Sequence, residues 1–253
     1  MKILVTFALE NEFAPWRKMR HFRRVSVDDL DHAYEAEVGS VDVRVVLTGA
    51  GRFAAQRCLG RAFDYEPDIC IASGLAGALK VDFRPGAVLA ARAVADVNGT
   101  RLIRSDAELV SRAGGCGARI VEKFLVADRV IAAAEEKESL GVSGDAVDME
   151  SVFVLSAAAH QRVKAVAIRA ISDGVESDLP LDFNRTLNER GAVSVPRVLR
   201  QIVAQPHRIG GVIRLAHESE RAAAALAGFL DAYVERVTLD PLPGIDKAEA
   251  LAL

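Results

Sequence analysis

Cysteines, aromatic rings, clustered histidines and long apolar runs are all scarce in this chain, and each scarcity removes a class of protein. Its three cysteines (Cys58, Cys70, Cys116) are odd in number and show no metal or redox spacing. That argues against a disulfide-stapled secreted fold and for a reducing cytosol. Cys70 sits in an apolar run and reads as packing. The five histidines (His21, His32, His160, His207, His217) are scattered, so neither a metal site nor any cofactor is expected. Aromatic residues make up only 6% of the chain, so aliphatic side chains and alanine must supply most of a core drawn from 51% hydrophobic residues. A formal charge of -3 leaves no cationic excess to hold nucleic acid. No run approaches the ~18 uninterrupted apolar residues of a membrane span. The apolar N-terminus is broken by Glu10 and Glu12 where a signal peptide would be cleaved, so a cytoplasmic location is expected.

What is present alternates between two periods. Strands are expected at Lys2–Ala8, Val41–Thr48, Asp68–Ser73, Ala87–Val97, Arg119–Val126 and Val163–Ile171. Helices are expected at Phe53–Phe63, Asp106–Ala113, Val130–Leu140, Ser151–Gln161, Ala192–Ala204 and Arg208–Val237. Asn98-Gly99 between Val97 and Thr100 signals a hairpin, so part of the sheet should be antiparallel. This order implies a three-layer α/β/α architecture around a twisted mixed central sheet. No linker divides it, so residues 1–240 should form one domain, with a flexible tail over 241–253 opened by Pro241-Leu242-Pro243-Gly244.

Two short acidic motifs carry the chemistry. Ser172-Asp173 closes the β-branched run Val163–Ile171, and Asp148-Met149-Glu150 opens the helical stretch from Ser151. Open α/β folds bind ligands beyond the carboxyl ends of their strands, where these carboxylates would converge. The plainer readings are a strand cap for Ser172-Asp173, a first-turn glutamate favoured by the helix dipole for Glu150, and core packing for Met149.

Ala146-Val147-Asp148-Met149-Glu150-Ser151, followed by Val166-Ala167-Ile168-Arg169-Ala170-Ile171-Ser172-Asp173, resembles the nucleoside phosphorylase superfamily. Within it the resemblance is to the methylthioadenosine/S-adenosylhomocysteine nucleosidase branch. Ile3 to Glu12 is similar to that family's first strand and acidic turn. Asp68 to Gly77 is similar to its strand and the small-residue loop along the nucleoside, which includes Ala76 and Gly77. Gln205-Pro206-His207 and Ile213-Arg214-Leu215-Ala216 resemble the hopanoid-associated phosphorylases.

The resemblance implies hydrolysis of the N-ribosidic bond of a 5′-substituted adenine nucleoside, methylthioadenosine-like or adenosylhopane-like, by a homo-oligomer. Asp173 would be the general acid to the purine, oriented by Ser172, and an aspartate acts so near neutral pH only if burial favours its protonated form. Its replacement by Asn should then lower turnover by roughly 10²–10⁴-fold with little effect on folding. Glu150 would accept the ribose hydroxyls and Met149 would lie under the sugar. Glu12 would position the attacking water, with Glu10 as a competitor and an exposed helix residue as the plainer reading. Val130 and Ile131 would face the base, or else be helix core; nucleosidases usually carry phenylalanine where Val130 stands and serine where Leu75 stands.

Three alternatives bear on this reading. Phosphorolytic relatives hold phosphate with arginines near the first strand and the small-residue loop, and Ala72-Ser73-Gly74-Leu75 has none. A catalytically weak relative that only binds nucleosides is the second. Gly49-Ala50-Gly51-Arg52-Phe53-Ala54 matches a dinucleotide-binding turn, but the next strand does not end in the acid that a nicotinamide dehydrogenase wants. Finally, the basic run Arg17, Lys18, Arg20, Arg23 and Arg24 contains Trp16, Met19, His21 and Phe22. It reads as a solvated helix face with an apolar underside, or as a peripheral membrane contact suited to a lipid-tailed substrate. Ile209, Val212, Ile213 and Leu215 are the apolar candidates to line a channel for such a tail.

Overall fold

β-branched and aliphatic runs become the strands of one mixed sheet, and helices with one apolar face cover it on both sides. A computed structural model describes residues 1–27, 30–186 and 194–239. The expected tail over 241–253 lies outside the described residues. The chain runs β1 (Lys2–Phe7), α1 (Glu10–Arg20), β2 (Arg23–Val27), β3 (Leu30–Val38), β4 (Val41–Leu47), α2 (Arg52–Ala62) and β5 (Ile69–Ala78). It continues through β6 (Val88–Asp96), β7 (Leu102–Arg104), α3 (Ala107–Gly115), β8 (Arg119–Val126), α4 (Ala134–Leu140), β9 (Ala146–Asp148) and α5 (Ser151–His160). The last elements are β10 (Lys164–Asp173), α6 (Val195–Ala204) and α7 (Ile209–Leu239).

The strand order is β10-β6-β8-β9-β5-β1-β4-β3-β2, with β7 paired to β6 and β10 also paired to β5. Because β10 bonds both β5 and β6, five strands close into a ring (β5, β10, β6, β8, β9), while β1, β4, β3 and β2 extend from it as an open wing. One face of the sheet buries Ile3, Val5 and Phe7 under α1, α3 and α7. The other buries Leu4, Cys70 and Ala72 under α2 and α5. Period-2 alternation along β1 and β5 thus divides their side chains between two cores, the three-layer α/β/α arrangement expected.

Four local readings need correction. β5 does not stop at Ser73: Gly74 to Gly77 stay paired with β10 from Arg169 to Asp173, so the small-residue stretch is strand rather than loop. Val130 and Ile131 precede α4, which starts only at Ala134. Arg23 and Arg24 belong to β2, which with β3, β7 and β9 was not among the expected strands. Trp16 and Phe22 are buried against each other with ring centroids 4.9 Å apart, and the Trp16 indole N–H donates to Asp231 on α7 at 3.1 Å. Arg20 binds the same Asp231 at 2.5 Å, fastening α1 to α7. The aromatic residues of this segment are therefore core, not a membrane-facing patch. Trp16→Ala is expected to cost about 3–5 kcal/mol, the usual penalty for truncating a buried aromatic. Urea unfolding reads this directly, and a cost near zero would return Trp16 to the surface.

Candidate active site

β1, β5 and β10 are mutually parallel neighbours, so their carboxyl ends open on the same side of the sheet. β9 joins them there through the pairing of Gly77 with Val147. All nine residues singled out in the sequence, Glu12, Met149, Glu150, Ser172, Asp173, Ala76, Gly77, Val130 and Ile131, line one cavity of about 220 Å³ at this end.

Glu12 sits in the first turn of α1 and is buried rather than exposed. Its Oε2 accepts the backbone N–H groups of Ala8 at 3.0 Å and Leu9 at 3.2 Å, and its Oε1 accepts that of Leu75 at 3.4 Å. The carboxylate therefore closes the start of α1 and bridges β1 to β5. Burial raises its pKa above the ordinary carboxylate value, against the opposing charge of Arg169 and these three N–H donors. Glu10, the competitor, faces elsewhere: it pairs with Arg17 at 3.0 Å and does not line the cavity.

Glu150 is the N-cap residue of α5 but does not cap that helix. Asp148 does so, its Oδ1 accepting the N–H of Glu150 and of Ser151 at 3.0 Å each. Glu150 Oε1 is thereby free to accept the Gly51 N–H at 2.7 Å. Desolvation pushes its pKa up to about 8, Arg169 pulling it down and Asp148 adding to the rise. The Gly49-Ala50-Gly51 turn thus aims a backbone N–H at a carboxylate. A dinucleotide pyrophosphate would have to displace that buried carboxyl group, which counts against the dehydrogenase reading. Met149 lines the same wall, with its methyl next to Gly51.

Behind the carboxylates lies a residue that sequence reasoning passed over. Arg169, in the middle of β10, is 1% exposed. Its Nε donates to Asp148 Oδ2 at 2.8 Å, Nη1 to the Ser73 carbonyl at 2.6 Å and Nη2 to Ser151 Oγ at 2.9 Å, with Glu150 Oε2 at 3.9 Å. One guanidinium thus faces Asp148, Glu150 and Glu12. The available signal was an arginine inside an otherwise apolar strand, since such residues are rarely buried unless paired. Gly74 makes room for it: its φ is +142°, and a Cβ there would lie 2.3 Å from Arg169 Nη1.

Asp173 ends β10 with both oxygens engaged. Ser172 Oγ donates to Oδ1 at 2.7 Å, the orienting contact expected of it. At Oδ2 stands a second overlooked residue, Lys137 of α4, whose Nζ is 2.6 Å away and also donates to the carbonyls of Gly174 at 3.0 Å and Ser177 at 3.1 Å. Lys137 is fully buried. The sequence reading looked to burial to keep a proton on Asp173; the structure places a buried ammonium against it instead. Nothing in Ala134–Leu140 as a sequence marks this lysine.

Val130 and Ile131 lie in the turn before α4, neither of them in a helix. Asn184 bonds both backbone groups of Val130, accepting its N–H at 2.7 Å and donating to its carbonyl at 3.1 Å. The same clamp brings Phe183 to the cavity wall, beside Leu179 and Leu215. An aromatic surface is therefore present, but from a segment more than fifty residues later. Of the apolar channel candidates, Leu215 reaches the cavity, whereas Ile209, Val212 and Ile213 do not.

A family model described as the phosphorylase superfamily matches residues 127–204. The fold is shared with the 5′-methylthioadenosine/S-adenosyl homocysteine nucleosidase of Campylobacter jejuni, at a TM-score of 0.72 and 16% identity, over 93% of this chain and 99% of that one. The Helicobacter pylori nucleosidase of the same name, solved with butyl-thio-DADMe-Immucillin-A, is similar at a TM-score of 0.72 and 16% identity, over 93% and 98%. Futalosine hydrolase of Helicobacter pylori strain 26695 follows at 0.71 and 16%, over 93% and 97%. The chain thus has the fold of these nucleosidases, and its residues 127–204 match the phosphorylase superfamily.

Proposed function

We propose that the protein is a nucleosidase that hydrolyses the N-ribosidic bond of a 5′-substituted adenine nucleoside. The observation that carries this reading is the convergence of Glu12, Glu150 and Asp173 on one nucleoside-sized cavity. Glu12, as carboxylate, takes a proton from water as the water oxygen bonds the anomeric carbon. The C1′–N bond breaks, its electron pair goes to the purine, and a proton that the Lys137 ammonium supplies reaches the purine imidazole nitrogen through Asp173. Glu150 accepts the ribose hydroxyls over Met149 and stabilises the oxocarbenium-like sugar, much as a carboxylate pair serves glycoside hydrolysis. Phe183 offers the purine an aromatic surface, while Leu179 and Leu215 favour an apolar 5′-group, methylthio-sized or the base of a longer hopane-like tail.

Water is favoured over phosphate because, among the described residues, the cavity offers no uncommitted arginine. Arg129 lines it but pairs with Glu136 at 2.5 Å, and Arg169 is saturated from behind. Adenine release from methylthioadenosine, followed by absorbance, should be insensitive to added phosphate and should yield free sugar. Glu12→Gln should abolish turnover while still binding a substrate analogue. Phosphate-dependent turnover, with sugar 1-phosphate as product, would move the protein to the phosphorylase side. A homo-oligomer belongs to the same proposal and is read by sedimentation.

Lys137 enters this mechanism as a positioning residue that keeps a proton next to Asp173. Lys137→Met should lower kcat by part of the roughly 10²–10⁴-fold worth of general acid catalysis. It should also alter the pH profile of kcat, because the ammonium that resupplies Asp173 is gone. An unchanged pH profile would restrict Lys137 to a structural role.

A further inference from the structure

Between the cavity and the buried half of α7 the chain builds an arm that has no core of its own. From Pro196 to Glu220 no residue is buried, although nearly all of this stretch is helical. On α6, Leu199 is 55% exposed and Val203 80%, and at the start of α7 Ile209 and Ile213 are exposed as well. Each pair is spaced by four residues, so each forms an apolar stripe along one helix face. In a soluble helix such a stripe ordinarily turns inward; here both face out.

Charge on the arm is of one sign. Between Ser194 and His217 the chain carries Arg197, Arg200, Arg208 and Arg214 and no Asp or Glu, in a protein whose formal net charge is -3. Arg197, Arg200 and Arg208 share an open hollow of about 720 Å³ with the Arg185–Asp182 pair. The turn bearing that pair also carries Phe183 into the active-site cavity, and α7 adds Leu215 and Ser219 to the same wall. The arm therefore flanks the cavity mouth.

We propose that α6 and the first turns of α7 dock on an anionic lipid surface. A helix with an exposed apolar stripe and only basic charges lies in the headgroup plane, its apolar side chains entering the acyl boundary while arginines meet the lipid phosphates. Attraction to an anionic leaflet acts on each arginine near it and fades within a Debye length. The other natural occupant is a second copy of the chain. A symmetric contact, arm against arm, would set the four arginines of one copy against the same four of the next, and like charges oppose it. This docking is independent of the catalytic assignment and is tested without it.

The full chain is sedimented with vesicles of equal parts phosphatidylglycerol and phosphatidylcholine, and with vesicles of phosphatidylcholine alone. Binding is expected to the first and not to the second, and it should weaken as salt is raised. Arg197→Ala with Arg200→Ala should weaken partitioning roughly thirtyfold. Leu199→Ser with Val203→Ser should abolish it, with circular dichroism and turnover of a soluble nucleoside unchanged in both. Failure of the wild type to bind anionic vesicles, or equal binding by the variants, would overturn the proposal. So would self-association that the Leu199→Ser, Val203→Ser chain loses without any vesicle binding, since the face would then belong to a second copy.

Discussion

Asp173→Asn is expected to lower turnover on purine nucleosides by about 10²–10⁴-fold, because the amide keeps the shape of the carboxyl but has no proton to give. The structure changes what should accompany that loss. Lys137 is fully buried and, among the described residues, its one carboxylate partner is Asp173, at 2.6 Å. An Asn there leaves the ammonium with amide and carbonyl oxygens but no counter-charge, and breaking one side of a buried pair is costly. Stability should therefore fall with activity, contrary to the sequence-based expectation of an unaffected fold. The two effects separate in a double variant. Asp173→Asn with Lys137→Met removes both charges and should recover stability without recovering catalysis, a non-additivity read by urea unfolding beside adenine release. Near wild-type turnover in either chain would remove Asp173 from the proton transfer.

Arg169→Met should lower stability by about 3–5 kcal/mol, because it strips the buried carboxylate cluster of its cation. The loss should grow with pH. Glu150 has its pKa pushed up to about 8 from an ordinary 4.5, and Glu12 is raised as well, both by burial and both against the pull of Arg169. A carboxyl raised in the folded state contributes stability that is fully present below its unfolded value. That contribution is lost as pH climbs through the folded value, here between about 4.5 and about 8 for Glu150. Without Arg169 both groups rise further, so the unfolded chain is favoured more strongly at the alkaline end. Urea midpoints of wild type and variant should lie closer at pH 5 than at pH 8. A constant gap, or a cost near zero, would show that Arg169 does not neutralise these groups.

The same raised values bear on catalysis. If Glu12 must be ionised to accept a proton from water, the acid limb of the pH–rate profile should lie above the ordinary carboxylate range.

How much was legible in the sequence depended on how local the cause was. β10 and β8 were readable because each is a short apolar run carrying valine and isoleucine, and α5 because an acidic stop precedes a run of aliphatic residues. The hairpin at Asn98-Gly99 was readable because Gly99 takes a φ of +70°, which glycine adopts without strain. β2 and β3 were missed because Arg23-Arg24 continues a basic stretch and the alternation of Leu30–Val38 is blurred by acidic residues. α4 was placed too early because Val130 and Ile131 are apolar at helical spacing, while what fixes them is the Asn184 side chain.

The sequence by itself determined the chemical identity of the candidate site. Glu12, Glu150 and Asp173 stand in short motifs that resemble those of the nucleosidases, and Glu150 and Asp173 also border strong local elements. What only the tertiary structure decided is how those groups are charged and held. Arg169 and Lys137 act through contacts that span 21 and 36 residues, to Asp148 and Asp173 respectively. Phe183 replaces a missing aromatic residue from a distant turn, and Trp16 becomes core because α7 returns to cover it. Such partners are set by strand order and helix packing, for which neither periodicity nor composition carries a signal.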